Sequence, residues 1–171
     1  MQTFQKTGRL FTDSLIRPSN VTPYASGDVI SAVTTNDHYT FGVALSKSIA
    51  FSNVGNMATI VGAILHSSTS VATSVDAELW LYRTDIAEVA DNSAFAPTDA
   101  ESLTLLTVVD FPTASFKVNS TNSSCIVSID QKFFMGDESA VFFGQLITKN
   151  AYVPTSAEVF TVDLLIEREG W

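Results

Sequence analysis

Apolar and polar residues alternate along this chain in short runs, and turn residues separate the runs at regular intervals. The clearest run is near the C-terminal end, where Phe160, Val162, Leu164 and Ile166 alternate with Thr161, Asp163, Leu165 and Glu167. A period of two sets one face of a strand against a core. Residues 75–83 repeat the pattern, with Val75, Ala77, Leu79 and Leu81 on one face. On the other face Asp76 and Glu78 give way to Trp80 and Tyr82, so that end is expected to lie under a loop or another chain. Residues 57–66 are apolar almost without interruption. This predicts a central strand packed on both sides, with Gly62 marking a bulge or a close backbone approach. Further strands are predicted at 10–16, 28–33, 39–45, 103–111, 124–130 and 140–148.

No long segment carries helical spacing. The single helical start is Thr98-Asp99-Ala100-Glu101 after Pro97, where Thr98 can cap and Glu101 can reach back to form a capping box. At most one short helix is expected, near 98–104. Residues 84–97, rich in Ala, Asp and Asn, read as a long connection crossing between sheets, and the polar run 119–124 (NSTNSS) as a hairpin tip. About nine strands in one domain predict an all-β fold, a single-domain antiparallel β-sandwich of jelly-roll type. Pro18 and Pro23 favour an extended course for residues 1–23. That stretch is read as an N-terminal arm or an edge segment, and 24–171 as the sandwich. No internal repeat or low-complexity linker divides the chain.

Composition sharpens this picture. Charged residues make up only 16% of the 171 positions, while 20 Ser and 19 Thr supply most of the polar surface, a choice that suits strands and turns. The net charge is −9, the wrong sign for neutralising phosphates, so nucleic acid is not an expected partner. Residues 1–10 lack the apolar core of a secretory signal, and no apolar stretch is long enough to span a bilayer. Synthesis in the cytoplasm and no membrane partner are the expectation. The lone Cys125 cannot form an internal disulfide.

Candidate chemistry is sparse. There are two histidines, His38 and His66, and neither has a motif partner by spacing, so structural or solvated roles are expected. Cys125 in SSCIVSID reads as a small buried side chain. Asp85, Glu88, Asp91, Asn92 and Asp99 lie around the long loop without the alternate spacing of a calcium loop, so caps and Asx-turns are their expected work. No nucleophile elbow, phosphate-binding glycine loop, C-x-x-C or H-E-x-x-H occurs. No enzyme activity, cofactor or metal is expected. The basic residues Lys6, Arg9 and Arg17 near one end and Trp171 at the other are the candidate partner-binding residues, since a bulky terminal ring gains nothing unless it docks.

Four segments, RPSNVTPYASGDVISA (17–32), AELWLYRTD (77–85), DNSAFAPTDAESL (91–103) and YVPTSAEVFTVDLLIE (152–167), together resemble a family of tailed-bacteriophage virion structural proteins of the capsid decoration, or cement, kind. The R-P…Y-x-x-G-D-V opening and the D-N-x-A-F loop are the distinctive parts. The resemblance implies a non-enzymatic protein with no catalytic residues to carry over. It would bind the major capsid protein on the outer surface of the head, self-associate as a homotrimer, and stabilise the shell through many copies of a modest interface. The acidic charge favours the outside, away from packed DNA. The competing reading is a receptor- or carbohydrate-binding module of a tail fibre or spike, which would need exposed rings among Tyr24, Tyr39, Trp80, Tyr82, Tyr152 and Trp171.

Overall fold

The computed structural model describes residues 7–32, 38–44, 56–70, 75–135 and 139–168. Ten strands are described: β1 (Thr7–Ile16), β2 (Val29–Ile30), β3 (Tyr39–Ala44), β4 (Asn56–Ser67), β5 (Ala77–Tyr82), β6 (Leu105–Phe111), β7 (Lys117–Val118), β8 (Ser123–Met135), β9 (Ser139–Thr148) and β10 (Val159–Arg168). One sheet runs β1-β10-β4-β8-β7, and the other runs β2-β9-β5-β6 with β3 also on β9. Antiparallel pairs nest inside one another, β1 with β10, β3 with β9, β4 with β8, and β5 with β6 at the tip. A long hairpin folded over so that alternate pairs fall in opposite sheets is a jelly roll. Pairing of β10 with β4 and of β9 with β5 completes the two sheets.

The alternating runs face the space between the sheets. Phe160, Val162, Leu164 and Ile166 of β10, with Ala58, Ile60, Ala63 and Leu65 of β4, meet Ala77, Leu79 and Leu81 of β5 and Leu146 of β9 in one buried cluster. Phe133 of β8 and Phe142 of β9 close the gap edge to face, with centroids 4.7 Å apart. Tyr39 of β3 donates a hydrogen bond across the core to the Phe160 carbonyl at 3.1 Å. Gly144 is required by this packing. A Cβ there would come within 3.0 Å of Leu79 Cδ1 and 3.3 Å of both Leu81 Cδ2 and Phe41 Cε2.

Several local expectations need adjusting. The central strand β4 does carry an irregularity at Gly62, where the register shifts against both β8 and β10, and a Cβ at Gly62 would sit 3.3 Å from the Val127 carbonyl. It is not packed on both sides, because Val61 and Ile64 remain half-buried. The connection after β5 does not cross between sheets; it returns to β6, the neighbour of β5. On the way it lays Phe95 edge-on against Trp80 with centroids 5.5 Å apart and buries Ile86. The Trp80 end of that face is thus covered by the chain's own loop. The helix is α1 (Asp99–Ser102), with the Thr98 capping box in place: Glu101 N–H donates to Thr98 Oγ1 at 3.2 Å and Thr98 N–H to Glu101 Oε2 at 2.7 Å. Residues 7–16, within the stretch read as arm or edge segment, form β1 at the edge of the first sheet.

Candidate functional site

The largest concentration of buried polar chemistry lies at one end of the sandwich, where β1 ends, β10 begins and β4 ends. Arg17, one residue past β1, is fully buried. Its Nη2 pairs with Asp91 Oδ2 at 3.2 Å, its Nη1 donates to the Thr155 carbonyl at 3.4 Å, and its Nε donates to the Tyr24 hydroxyl. Tyr24 in turn donates to Asp91 Oδ1 at 2.6 Å, an oxygen that also accepts the Ser31 N–H at 3.1 Å. Beside this group, Glu158 is buried just before β10 and accepts from the Tyr152 hydroxyl at 2.6 Å, Ser67 Oγ at 2.6 Å, and the Thr155 N–H and Oγ1 at 3.1 and 3.2 Å. The rings of Tyr24 and Tyr152 lie parallel with centroids 6.2 Å apart, and their backbones form a bridge.

Burial, reinforced by the neighbouring carboxylates, holds both tyrosine hydroxyls far above the ordinary phenol range. They are neutral donors to Asp91 and Glu158, and each buried charge is met by hydrogen bonds, as burial demands. The cluster therefore works as a clamp. It joins the start of the sandwich (Arg17, Tyr24), the long loop (Asp91) and the entry to β10 (Tyr152, Thr155, Glu158). These residues fall in three of the four segments that carry the phage resemblance, so those segments meet in space.

A second constellation crosses the outer face of the first sheet. His66 of β4 has Nδ1 2.7 Å from Ser124 Oγ on β8 and Nε2 3.1 Å from Asp163 Oδ2 on β10, and Thr12 of β1 donates to Asp163 Oδ1 at 2.5 Å. The residue types match a nucleophile, base and acid relay. Ser124, however, is paired with His66 of β4 on one side and Lys117 of β7 on the other, so the nearby backbone N–H groups face neighbouring strands rather than an oxyanion. What the arrangement supplies is a hydrogen-bonded belt over four strands. A third group surrounds Lys149, whose Nζ lies 2.9 Å from Asp110, 3.7 Å from Glu78 and 4.0 Å from Asp76. Hydrogen bonding to Asp110 holds the Lys149 ammonium above its usual range, at an exposed site where such pairs contribute little.

The residues singled out from sequence scatter. Arg17 is a correction: it is sealed inside the clamp, and its guanidinium is satisfied by its own chain, so it offers nothing to a partner. Arg9 is exposed on β1, where it pairs with Ile166, while Lys6 and Trp171 lie outside the described residues. Tyr24, Tyr39, Tyr82 and Tyr152 are buried, and Trp80 is half-buried under Phe95, so none of these five rings forms an open sugar platform. His38 is buried against Phe143, with Nε2 3.2 Å from Asp85 Oδ1. Cys125 is buried, which pushes its thiol up to about 11. The acidic loop residues take separate partners, Asp91 with Arg17, Asp85 with His38 and Asp99 in the first turn of α1. Among the described residues no group of three His, Cys, Asp or Glu side chains converges as a metal site would. Sequence reading missed Glu158 and the His66 belt, because both depend on which strands become neighbours.

No protein-family model matches the chain, so the four-segment phage resemblance has no family match behind it. No curated protein matches it either. Among solved structures, the chain is similar to one described as the 60-mer BFDV capsid protein, at 8% identity over 99% of this chain and 96% of that one, with a TM-score of 0.30. It is also similar to a chain of Triatoma virus, at 11% identity over 96% of this chain and 66% of that one, with a TM-score of 0.29.

Proposed function

We propose that this protein is a structural component of a virion shell, a decoration or cement protein that binds the major capsid protein on the outer surface of a tailed-phage head without catalysing a reaction. The observation that carries the reading is the inward use of chemistry. Arg17, Asp91 and Glu158 fix loops, and Glu101, at the surface, caps a helix. Outside, the His66 belt ties four strands of the first sheet together. A preorganised surface binds without the cost of ordering loops, and a repeating lattice multiplies a modest contact into lasting attachment. The charge of −9 favours a position away from packaged phosphates. Association into a homotrimer at threefold or quasi-threefold positions is part of the same reading. The carbohydrate-platform alternative loses support from the five rings that are buried or half-buried.

Reconstruction of intact particles, with copies counted per virion, tests this. The expected result is hundreds of copies in icosahedral positions on the exterior. A handful of copies at a tail tip would instead indicate a receptor-binding part, and absence from the particle would reject a virion role altogether.

A further inference from the structure

The belt on the outer face of the first sheet sets a serine, a histidine and a carboxylate in line. The Asp163 carboxylate can only accept, so His66 Nε2 carries the proton that it shares with Asp163 Oδ2 at 3.1 Å, and Nδ1 is left to accept from the Ser124 hydroxyl at 2.7 Å. Thr12 donates to the other oxygen of Asp163 at 2.5 Å and fixes the carboxylate in turn. A hydroxyl bonded to a base that a third group orients is the arrangement that activates a serine. Register adds a cation. Lys117 of β7 is the direct partner of Ser124 on the side away from His66, and the side chains of such a pair stand on one face with Cβ atoms about 5 Å apart. Lys117 is exposed and enters no ion pair among the described residues. The His66 side chain is 40% exposed, so the row is open to solvent.

We propose that Ser124 is an acylation site, which takes one acyl group per chain from an activated carboxylic ester or thioester. Its Oγ attacks the acyl carbon and its proton passes to His66 Nδ1. The bond from Oγ to the acyl carbon forms as the bond to the leaving oxygen or sulfur breaks, and the leaving group takes the proton from His66. Asp163 and Thr12 are positioning residues, since they hold the imidazole tautomer that leaves Nδ1 basic. Backbone N–H groups here are spent on neighbouring strands, so the negative charge that develops on the attacked carbonyl falls to Lys117. One flexible ammonium is less than a preorganised pair of amides. A modified serine is therefore the outcome rather than turnover, and a shell protein with one covalent group per copy remains non-enzymatic. The inference does not rest on the virion reading.

The test treats the purified full chain with p-nitrophenyl acetate near neutral pH and locates acetyl groups by peptide mapping, with the exposed Ser120 as an internal reference. Ser124 is expected to be acetylated about a hundredfold faster in the parent than in His66→Gln, on the scale of general-base assistance. Asp163→Asn is expected to slow labelling at least about tenfold with circular dichroism unchanged, because a carboxamide can donate to Nε2 and select the other tautomer. If the His66 variant fails to fold, the parent in denaturant serves as the control, where Ser124 is expected to lose its advantage over Ser120. Acetyl groups on lysines and the chain terminus with Ser124 bare overturn the proposal. So does a Ser124 labelled no faster than Ser120, or labelling that persists undiminished in His66→Gln.

Discussion

Replacing Arg17 with Met probes the clamp directly. The guanidinium is fully buried and the Asp91 side chain is 9% exposed. Removing the cation leaves Asp91 in a low-dielectric site where, among the described residues, the Tyr24 hydroxyl and the Ser31 N–H remain as donors. Breaking a buried pair by deleting one partner costs about 3–5 kcal/mol, since the remaining charge is uncompensated. The two surviving donors place this case near the lower end, about 3 kcal/mol. For a chain of this size that corresponds to a drop in Tm of roughly 6–12 °C. Urea titration of Arg17→Met, Asp91→Leu and the double variant at neutral pH supplies the check. The double variant is expected to be less destabilised than the sum of the singles by more than about 1 kcal/mol, because it buries no orphan charge. A single-variant loss under about 1 kcal/mol, or additivity within about 0.5 kcal/mol, would refute the view that the ion pair braces this end of the fold.

Other consequences follow from separate features. Gly144→Ala forces a methyl to within 3.0 Å of Leu79 and is expected to cost about 1–3 kcal/mol by overpacking, read as a lower urea midpoint. Glu101 is held below the usual carboxylate range by the Ala87 and Thr98 N–H groups, so its contribution is present above the unfolded carboxylate pKa and is lost as pH falls through the folded value. Glu101→Gln should therefore lower stability at pH 7, by about 1 kcal/mol on the scale of a lost cap, and match the parent in strong acid; a gap that persists there would contradict the capping account. The Cys125 thiol, raised to about 11 by burial, is expected to resist thiol reagents at pH 8 in the native protein and to react fully in denaturant. Fast native labelling would show that β8 opens.

Strand existence was legible from the chain because burial on one side imposes a period of two locally, and each of the nine predicted strands corresponds to a strand of the fold. Thr98 and Glu101 announced the helix for the same reason, since a capping box involves residues three apart. The unforeseen features are non-local. β7 is two residues long and exists through its pairing with β8. The loop after β5 has a composition equally suited to crossing sheets or to covering one, and Trp80 beneath it decided the matter. Arg17 looked like a basic surface residue because its partner is not near it in sequence; Asp91 arrives from 74 residues away. Local alternation thus determined the class of fold and most of its strands, through side-chain geometry that every strand shares. Tertiary pairing alone decided which charges are buried together, which loop covers Trp80 and where the polar belt forms, because those depend on strand order, which no short stretch of sequence encodes.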